Sequence, residues 1–140
     1  MYGEGMYDEY LKKVLDTNNI NITVHQPISD IHLRMVESSI FIIASLYEPF
    51  GLVIGEAMSY GLPVVAFNCP FGPGELISNN VNGYLIDNRD LKAFANKVCQ
   101  LIEDRALRQR MGLSASKSIK CYRAELIMPK WQKLFESLVK

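Results

Sequence analysis

The chain has 140 residues, 49% hydrophobic and 21% charged, enough for one domain around a single core and too few for two. Its 15 Lys and Arg balance its 15 Asp and Glu, which argues against the basic excess of a nucleic-acid-binding surface. No apolar run approaches the roughly 18–20 residues that span a bilayer, and no charged-then-apolar leader opens the chain, so the expectation is a soluble, cytoplasmic protein.

Residues 8–18 read as a helix, with Tyr7, Tyr10, Leu11, Val14 and Leu15 along one stripe. Residues 20–24 form a short β-branched run, with Asn21 and Thr23 in strand-like alternation. Ser29 can cap a second helix over residues 30–38. The apolar run Ile40-Phe41-Ile42-Ile43-Ala44 suits a strand covered on both faces, as in a parallel sheet. Helix signals resume over residues 51–60 and stop at Gly61. Pro63-Val64-Val65-Ala66-Phe67 is the next buried strand, with Pro first, where a missing N–H does least harm.

A turn-rich loop over residues 69–74, a short helix over 75–78 and the pair Asn79-Asn80 lead to a last strand, 83–86. Asp90 then caps a helix in which Leu91, Phe94, Val98, Leu101 and Ile102 recur at helical spacing. A second helix is expected over about residues 104–111, closed by Gly112, and a third over much of 114–120. The last helix carries Trp131, Leu134, Phe135 and Leu138, with Pro129 opening or kinking it. Cys69, Cys99 and Cys121 have no C-x-x-C spacing and read as buried, reduced thiols. His25 and His32 read as structural.

Alternation of strand and helix with short connections predicts an α/β fold, a doubly wound, Rossmann-like parallel sheet with right-handed crossovers and a helical C-terminal tail. The chain opens at Tyr2-Gly3-Glu4-Gly5 and enters a helix with no strand before it. A doubly wound domain normally starts on a strand, so the expectation is a piece of something longer, truncated at its N-terminus.

Ligands of open α/β sheets bind beyond the carboxyl ends of the strands. Three loops take that position: Gly3-Glu4-Gly5, residues 45–51, and residues 69–74. In the second, Gly51 lets the backbone approach a ligand as a helix begins. N–H groups near Gly51, Leu52 and Val53 would face a phosphate or a sugar oxygen, favoured by the helix dipole. Glu48 precedes this helix start and Glu56 lies about one and a half turns into it, among Val53, Ile54, Ala57 and Met58, where an unpartnered charge is costly. A carboxylate pair can accept hydrogen bonds from vicinal hydroxyls, so the combination describes a nucleotide-sugar site. Two plainer readings stand beside it: Glu48 as a helix cap and Glu56 as a solvated helix glutamate.

The run Glu48-Pro49-Phe50-Gly51-Leu52-Val53-Ile54-Gly55-Glu56-Ala57-Met58-Ser59-Tyr60-Gly61-Leu62-Pro63-Val64-Val65 resembles the E-x7-E signature of retaining GT-B glycosyltransferases of the family 4, or group 1, type. Gly3-Glu4-Gly5 resembles that family's G-[DE]-G turn. The stretch Phe67-Asn68-Cys69-Pro70-Phe71-Gly72-Pro73-Gly74-Glu75-Leu76-Ile77 resembles the D-C-P-x-G-P-x-E-I-I loop of a bacterial subset, and Asn82-Gly83-Tyr84-Leu85-Ile86 the N-G-x-L-V strand. The resemblance covers essentially the whole chain, as the C-terminal, donor-binding domain.

The resemblance implies that Glu56 accepts hydrogen bonds from the ribose hydroxyls and that Glu48, the catalytic candidate, contacts hydroxyls of the donor sugar. Backbone amides around Phe50, Gly51, Leu52 and Val53 would hold the sugar and diphosphate. Gly3 and Gly5 would lie near the phosphates, and Gln26 and Pro27 near the base. The implied ligand is a nucleotide sugar, most simply a UDP-sugar bound as substrate, with no cofactor and no metal. The implied activity is hexosyl transfer to a polysaccharide or glycolipid, in a full-length protein compatible with peripheral membrane association.

Four departures bear on this. The family's Arg and Lys, five residues apart early in the domain, have no counterpart, and neither does the N-terminal acceptor domain. Asn68 stands where Asp is common, and Gly74 where a basic residue is common. Without the cations and the opposing wall, the chain alone is expected to turn over little or nothing. The alternatives are a GT-B-fold sugar-nucleotide epimerase, which the E-x7-E spacing disfavours, and a non-catalytic α/β module such as a receiver domain. The latter needs an Asp where the residue 40–44 strand ends, and Ser45 stands there instead.

Overall fold

The computed structural model describes residues 6–139. The chain divides into two compact units, Met1–Arg34 and Met35–Lys140. The Gly3-Glu4-Gly5 turn lies outside the described residues.

In the first unit, α1 (Asp8–Thr17) opens on acidic residues, Asp8 and Glu9, as the helix dipole favours. It ends where the Asn18 side-chain amide donates to the Val14 carbonyl at 2.7 Å and Asn19 turns left-handed, φ 49°. Leu15 is buried, but Tyr7 and Tyr10 from the same stripe are exposed. The strand expected over residues 20–24 does not form, and His25 carries only an isolated bridge. Within this segment the Ile22 N–H donates to the Ile20 carbonyl at 2.8 Å, closing a three-residue turn. Helix α2 (Ile31–Glu37) follows.

The second unit is built on three parallel strands in the order β1-β2-β3: β1 (Phe41–Ile43), β2 (Val64–Phe67) and β3 (Gly83–Ile86). Phe41 aligns with Val64, and Val64 in turn with Gly83. This is the expected α/β architecture, a parallel sheet with helical crossovers. Every residue of central β2 is buried, as its unbroken apolar run requires. β1 departs from that expectation, because Ile42 is 55% exposed. Among the described residues β1 pairs with β2 alone, at the edge of the three-stranded sheet.

Helix α3 (Leu52–Ser59) links β1 to β2, and α4 (Pro73–Leu76) links β2 to β3. The Gly61 stop is as read, at φ 74°. Helix α5 (Leu91–Glu103) packs on β2 and β3, and Val65, Phe67, Tyr84, Ile86, Leu101 and Met111 form one buried cluster with it. Burial holds the Tyr84 phenol above its ordinary pKa. Asp90 caps α5 by accepting from the Ala93 N–H at 2.9 Å. Asp90→Ala is expected to lower stability by about 1 kcal/mol, read as a shift in the thermal midpoint with unchanged circular dichroism.

Asn82 is buried and fully satisfied. Its carbonyl accepts from the Ser78 N–H at 2.8 Å, and its amide donates to the Leu76 carbonyl and the Ser118 hydroxyl. The following Gly83 has no room for a Cβ, which would meet the Val64 carbonyl oxygen. The Asn-Gly pair is therefore the joint that seats β3 against β2.

One helix expectation in the tail changes. One helix, α6 (Arg105–Ser118), replaces the two expected on either side of Gly112. Gly112 is a contact residue, since a Cβ there would strike the Gly61 carbonyl oxygen. Of the two places read for Pro129, the structure has the one inside a helix, α7 (Ala124–Leu138). Of the cysteines, only Cys69 is buried; Cys99 and Cys121 are exposed, and all three are free. No helix among the described residues is long and apolar enough to cross a membrane.

Candidate functional site

The carboxyl end of β1 feeds residues 45–51, and the way α3 begins makes this loop distinctive. Gly51, the N-cap of α3, is buried in the left-handed conformation, φ 85°, ψ 53°. No side chain caps the helix. The first intrahelical bonds go to the Gly51 carbonyl from Ile54 at 2.9 Å and Gly55 at 3.2 Å. The N–H groups of Leu52 and Val53 meet no acceptor among the described residues. Open donors at the positive end of a helix favour an anion or an electron-rich oxygen.

Glu48 does not cap this helix, which removes its plain reading as a helix cap. Its carbonyl edge lies against the second loop: Gly72, at φ 47° and ψ −89°, sits so close that a Cβ would strike the Glu48 carbonyl oxygen. Across the same junction Tyr47 and Phe71 meet edge to face, 6.3 Å between centroids. Residues 45–51 and 69–74, read from sequence as two candidate loops, thus form one surface.

Glu56 is exposed on α3, with Ile54, Ala57 and Met58 turned into the core. It lines a cleft of about 700 Å³ whose walls include Phe50, Leu52, Lys120, Arg123 and Trp131. The hydrophobic neighbours seen in the sequence lie on the opposite side of the helix, so Glu56 pays no burial cost and is accessible to hydroxyls. Glu48 does not line this cleft.

The second unit by itself therefore assembles Glu48, Phe50, Gly51, Leu52, Val53 and Glu56. Gln26 and Pro27 are exposed residues of the first unit. Gly3 and Gly5 are outside the described residues.

Sequence reasoning missed the support of this loop. Tyr122, in the 3₁₀ turn Ile119–Tyr122, meets Phe50 edge to face at 5.5 Å, and its hydroxyl donates to the Glu75 carbonyl at 3.5 Å. It also missed Lys120 and Arg123 as cations of the Glu56 cleft. Nothing local marks them, because the fold alone carries that turn to α3.

A model of the family described as glycosyl transferases group 1 matches residues 1–118. The poly(ribitol-phosphate) alpha-N-acetylglucosaminyltransferase of Staphylococcus aureus (strain COL) is 33% identical over 140 residues, covering 98% of this chain and 28% of that protein. The GtfA subunit of a UDP-N-acetylglucosamine–peptide N-acetylglucosaminyltransferase from Streptococcus pneumoniae is 28% identical, covering 99% of this chain and 29% of that protein. The crystal structure of TarM superposes with a TM-score of 0.88 at 32% identity, over 96% of this chain and 28% of that one. Pneumococcal GtfA in complex with UDP and GlcNAc gives a TM-score of 0.85 at 26% identity, over 99% of this chain and 29% of that one. The chain thus spans less than a third of the length of these relatives.

Proposed function

The chain belongs to the group 1 glycosyl transferases, and from this we propose that it is the nucleotide-sugar-binding domain of a retaining hexosyltransferase. Residues 1–140 take the donor, a UDP-sugar, and a separate acceptor domain of the whole protein supplies the opposing wall. The acceptor is a polysaccharide or glycolipid, and the protein works in the cytoplasm. The observation that carries this reading is the uncapped start of α3, with open N–H groups at Leu52 and Val53 between Glu48 and Glu56. The solved relatives that hold UDP support the choice of base.

In this reading the amides of residues 50–53 hold the diphosphate and sugar, Glu56 accepts from the ribose hydroxyls, and Glu48 contacts hydroxyls of the sugar. Roles for Gly3 and Gly5 near the phosphates, and for Gln26 and Pro27 near the base, rest on the family resemblance alone. No metal or cofactor takes part. Transfer needs the leaving diphosphate stabilised in a closed, water-excluded cleft, an effect worth several kcal/mol. The chain alone leaves this site open, so it binds donor and turns over little or nothing.

Isothermal calorimetry with UDP tests the reading. Weak binding is expected, reduced at least tenfold by Glu56→Ala, a loss of about 1.4 kcal/mol. Absence of nucleotide binding with the fold intact would overturn it. Product analysis on the intact protein separates transfer from epimerisation.

A further inference from the structure

The turn after β3 (Asp87–Arg89) reaches back to both loops of the candidate site. The Arg89 guanidinium donates through Nη1 to the Ser45 carbonyl and through Nη2 to the Ala44 carbonyl, both at 3.1 Å. These carbonyls are where β1 gives way to residues 45–51. The same guanidinium lies over the Phe67 ring at the end of β2, 4.5 Å from its centroid. On the other arm, Asp87 accepts from the Asn68 side-chain amide at 2.7 Å, at the start of the β2–α4 loop. One three-residue turn therefore ties together the carboxyl ends of all three strands.

The backbone of this turn is not relaxed. Asn88 and Arg89 both have φ of 52°. Asn tolerates the left-handed region, but Arg rarely enters it, and such conformations persist only where the surroundings hold them. The two carbonyl bonds and the ring contact of Arg89 are that hold. The arm at Asn68 also makes chemical sense of a departure noted in the sequence. An Asp at 68 would set a carboxylate against Asp87, whereas the amide donates to it.

We propose that Arg89, with the Asn68–Asp87 pair, is a positioning clip for the donor site: it fixes the exit of β1, and through it the placement of Glu48 and the open amides at 52 and 53. This inference rests on the donor-site reading for its functional half. Its structural half stands alone, and the two can fail separately.

The experiment uses the 140-residue chain and two measurements, native-state chymotrypsin cleavage at Tyr47 and Phe50 and calorimetry with UDP. Arg89→Met is expected to speed cleavage in this loop at least fivefold, with a thermal midpoint within a few degrees of the parent, and to weaken UDP binding about threefold to tenfold. Arg89→Gly is the sharper test. It relieves the left-handed backbone, so a residue of no positional role would leave loop cleavage unchanged and raise the midpoint. That outcome would overturn the proposal, while faster cleavage in both variants supports it. Asn68→Asp should weaken UDP binding, and the exchanged pair Asn68→Asp with Asp87→Asn should return it to within twofold of the parent. Failure of that rescue would remove the Asn68–Asp87 arm. If the parent chain binds no UDP yet the cleavage results hold, the clip stands and the donor reading falls.

Discussion

Gly72→Ala is expected to destabilise the chain by about 3 kcal/mol and to abolish UDP binding, a larger effect than any single contact in the proposed donor site would produce. Two independent costs meet at this position. The backbone, at φ 47° and ψ −89°, occupies a region closed to residues with a Cβ. The added methyl would also strike the Glu48 carbonyl oxygen, a main-chain atom that cannot swing aside as a flexible side chain can. Relief would require residues 45–51 to part from 69–74, which displaces Glu48 from the start of α3. Gly74→Ala is the control. A Cβ there meets nothing nearer than 3.8 Å, and Gly74 lies within α4. That change is expected to be neutral or to stabilise by about 0.5 kcal/mol, as Gly to Ala does in a helix. Thermal unfolding and UDP titration of both variants check the pair. Equal behaviour of the two would refute the argument.

Gly112→Ala should lower stability by about 2 kcal/mol, a fall of roughly 6–8 °C in the thermal midpoint. The sign is a contest. Inside α6, Ala is favoured over Gly by about 1 kcal/mol. Against this stands the close approach of α6 to the turn that ends α3, where the methyl would run into the Gly61 carbonyl oxygen. Gly61 is itself left-handed at φ 74°, and Gly112 is buried, so neither backbone has room to yield. Overpacking at the upper end of its usual range, about 3 kcal/mol, outweighs the propensity gain. Differential scanning calorimetry decides it, and a raised midpoint would show that α6 can shift freely.

These two glycines also show where sequence reading stops. Gly61 and Gly112 carry the same local signal, a glycine at the end of an apolar helical pattern. One is a helix stop and the other sits in the middle of a helix. What separates them is whether another backbone passes nearby, and no window of neighbouring residues records that. The missing strand at residues 20–24 is a similar case. β-branched alternation raises strand propensity, but a turn between Ile20 and Ile22 competes with it locally.

The site was legible to a different depth at each residue. Glu48, Gly51 and Glu56 stand out because their spacing is contained in one loop and one helix. The exposure of Glu56 reversed the burial expected from its neighbours, since adjacent residues in a helix point in different directions. Arg89, Tyr122 and the Gly72 contact were invisible, because each acts on residues far along the chain.

The sequence by itself determined the α/β class, the existence of β2, the limits of β3, the Asp90 cap and the loop that begins α3, all of which follow from periodicity and turn chemistry over a few neighbouring residues. Only the tertiary structure decided that two loops form one surface, that α6 runs unbroken through Gly112, and that the turn after β3 holds the exit of β1. Those features depend on which backbones come within a methyl's width of one another, and that distance is set by the packing of the whole unit.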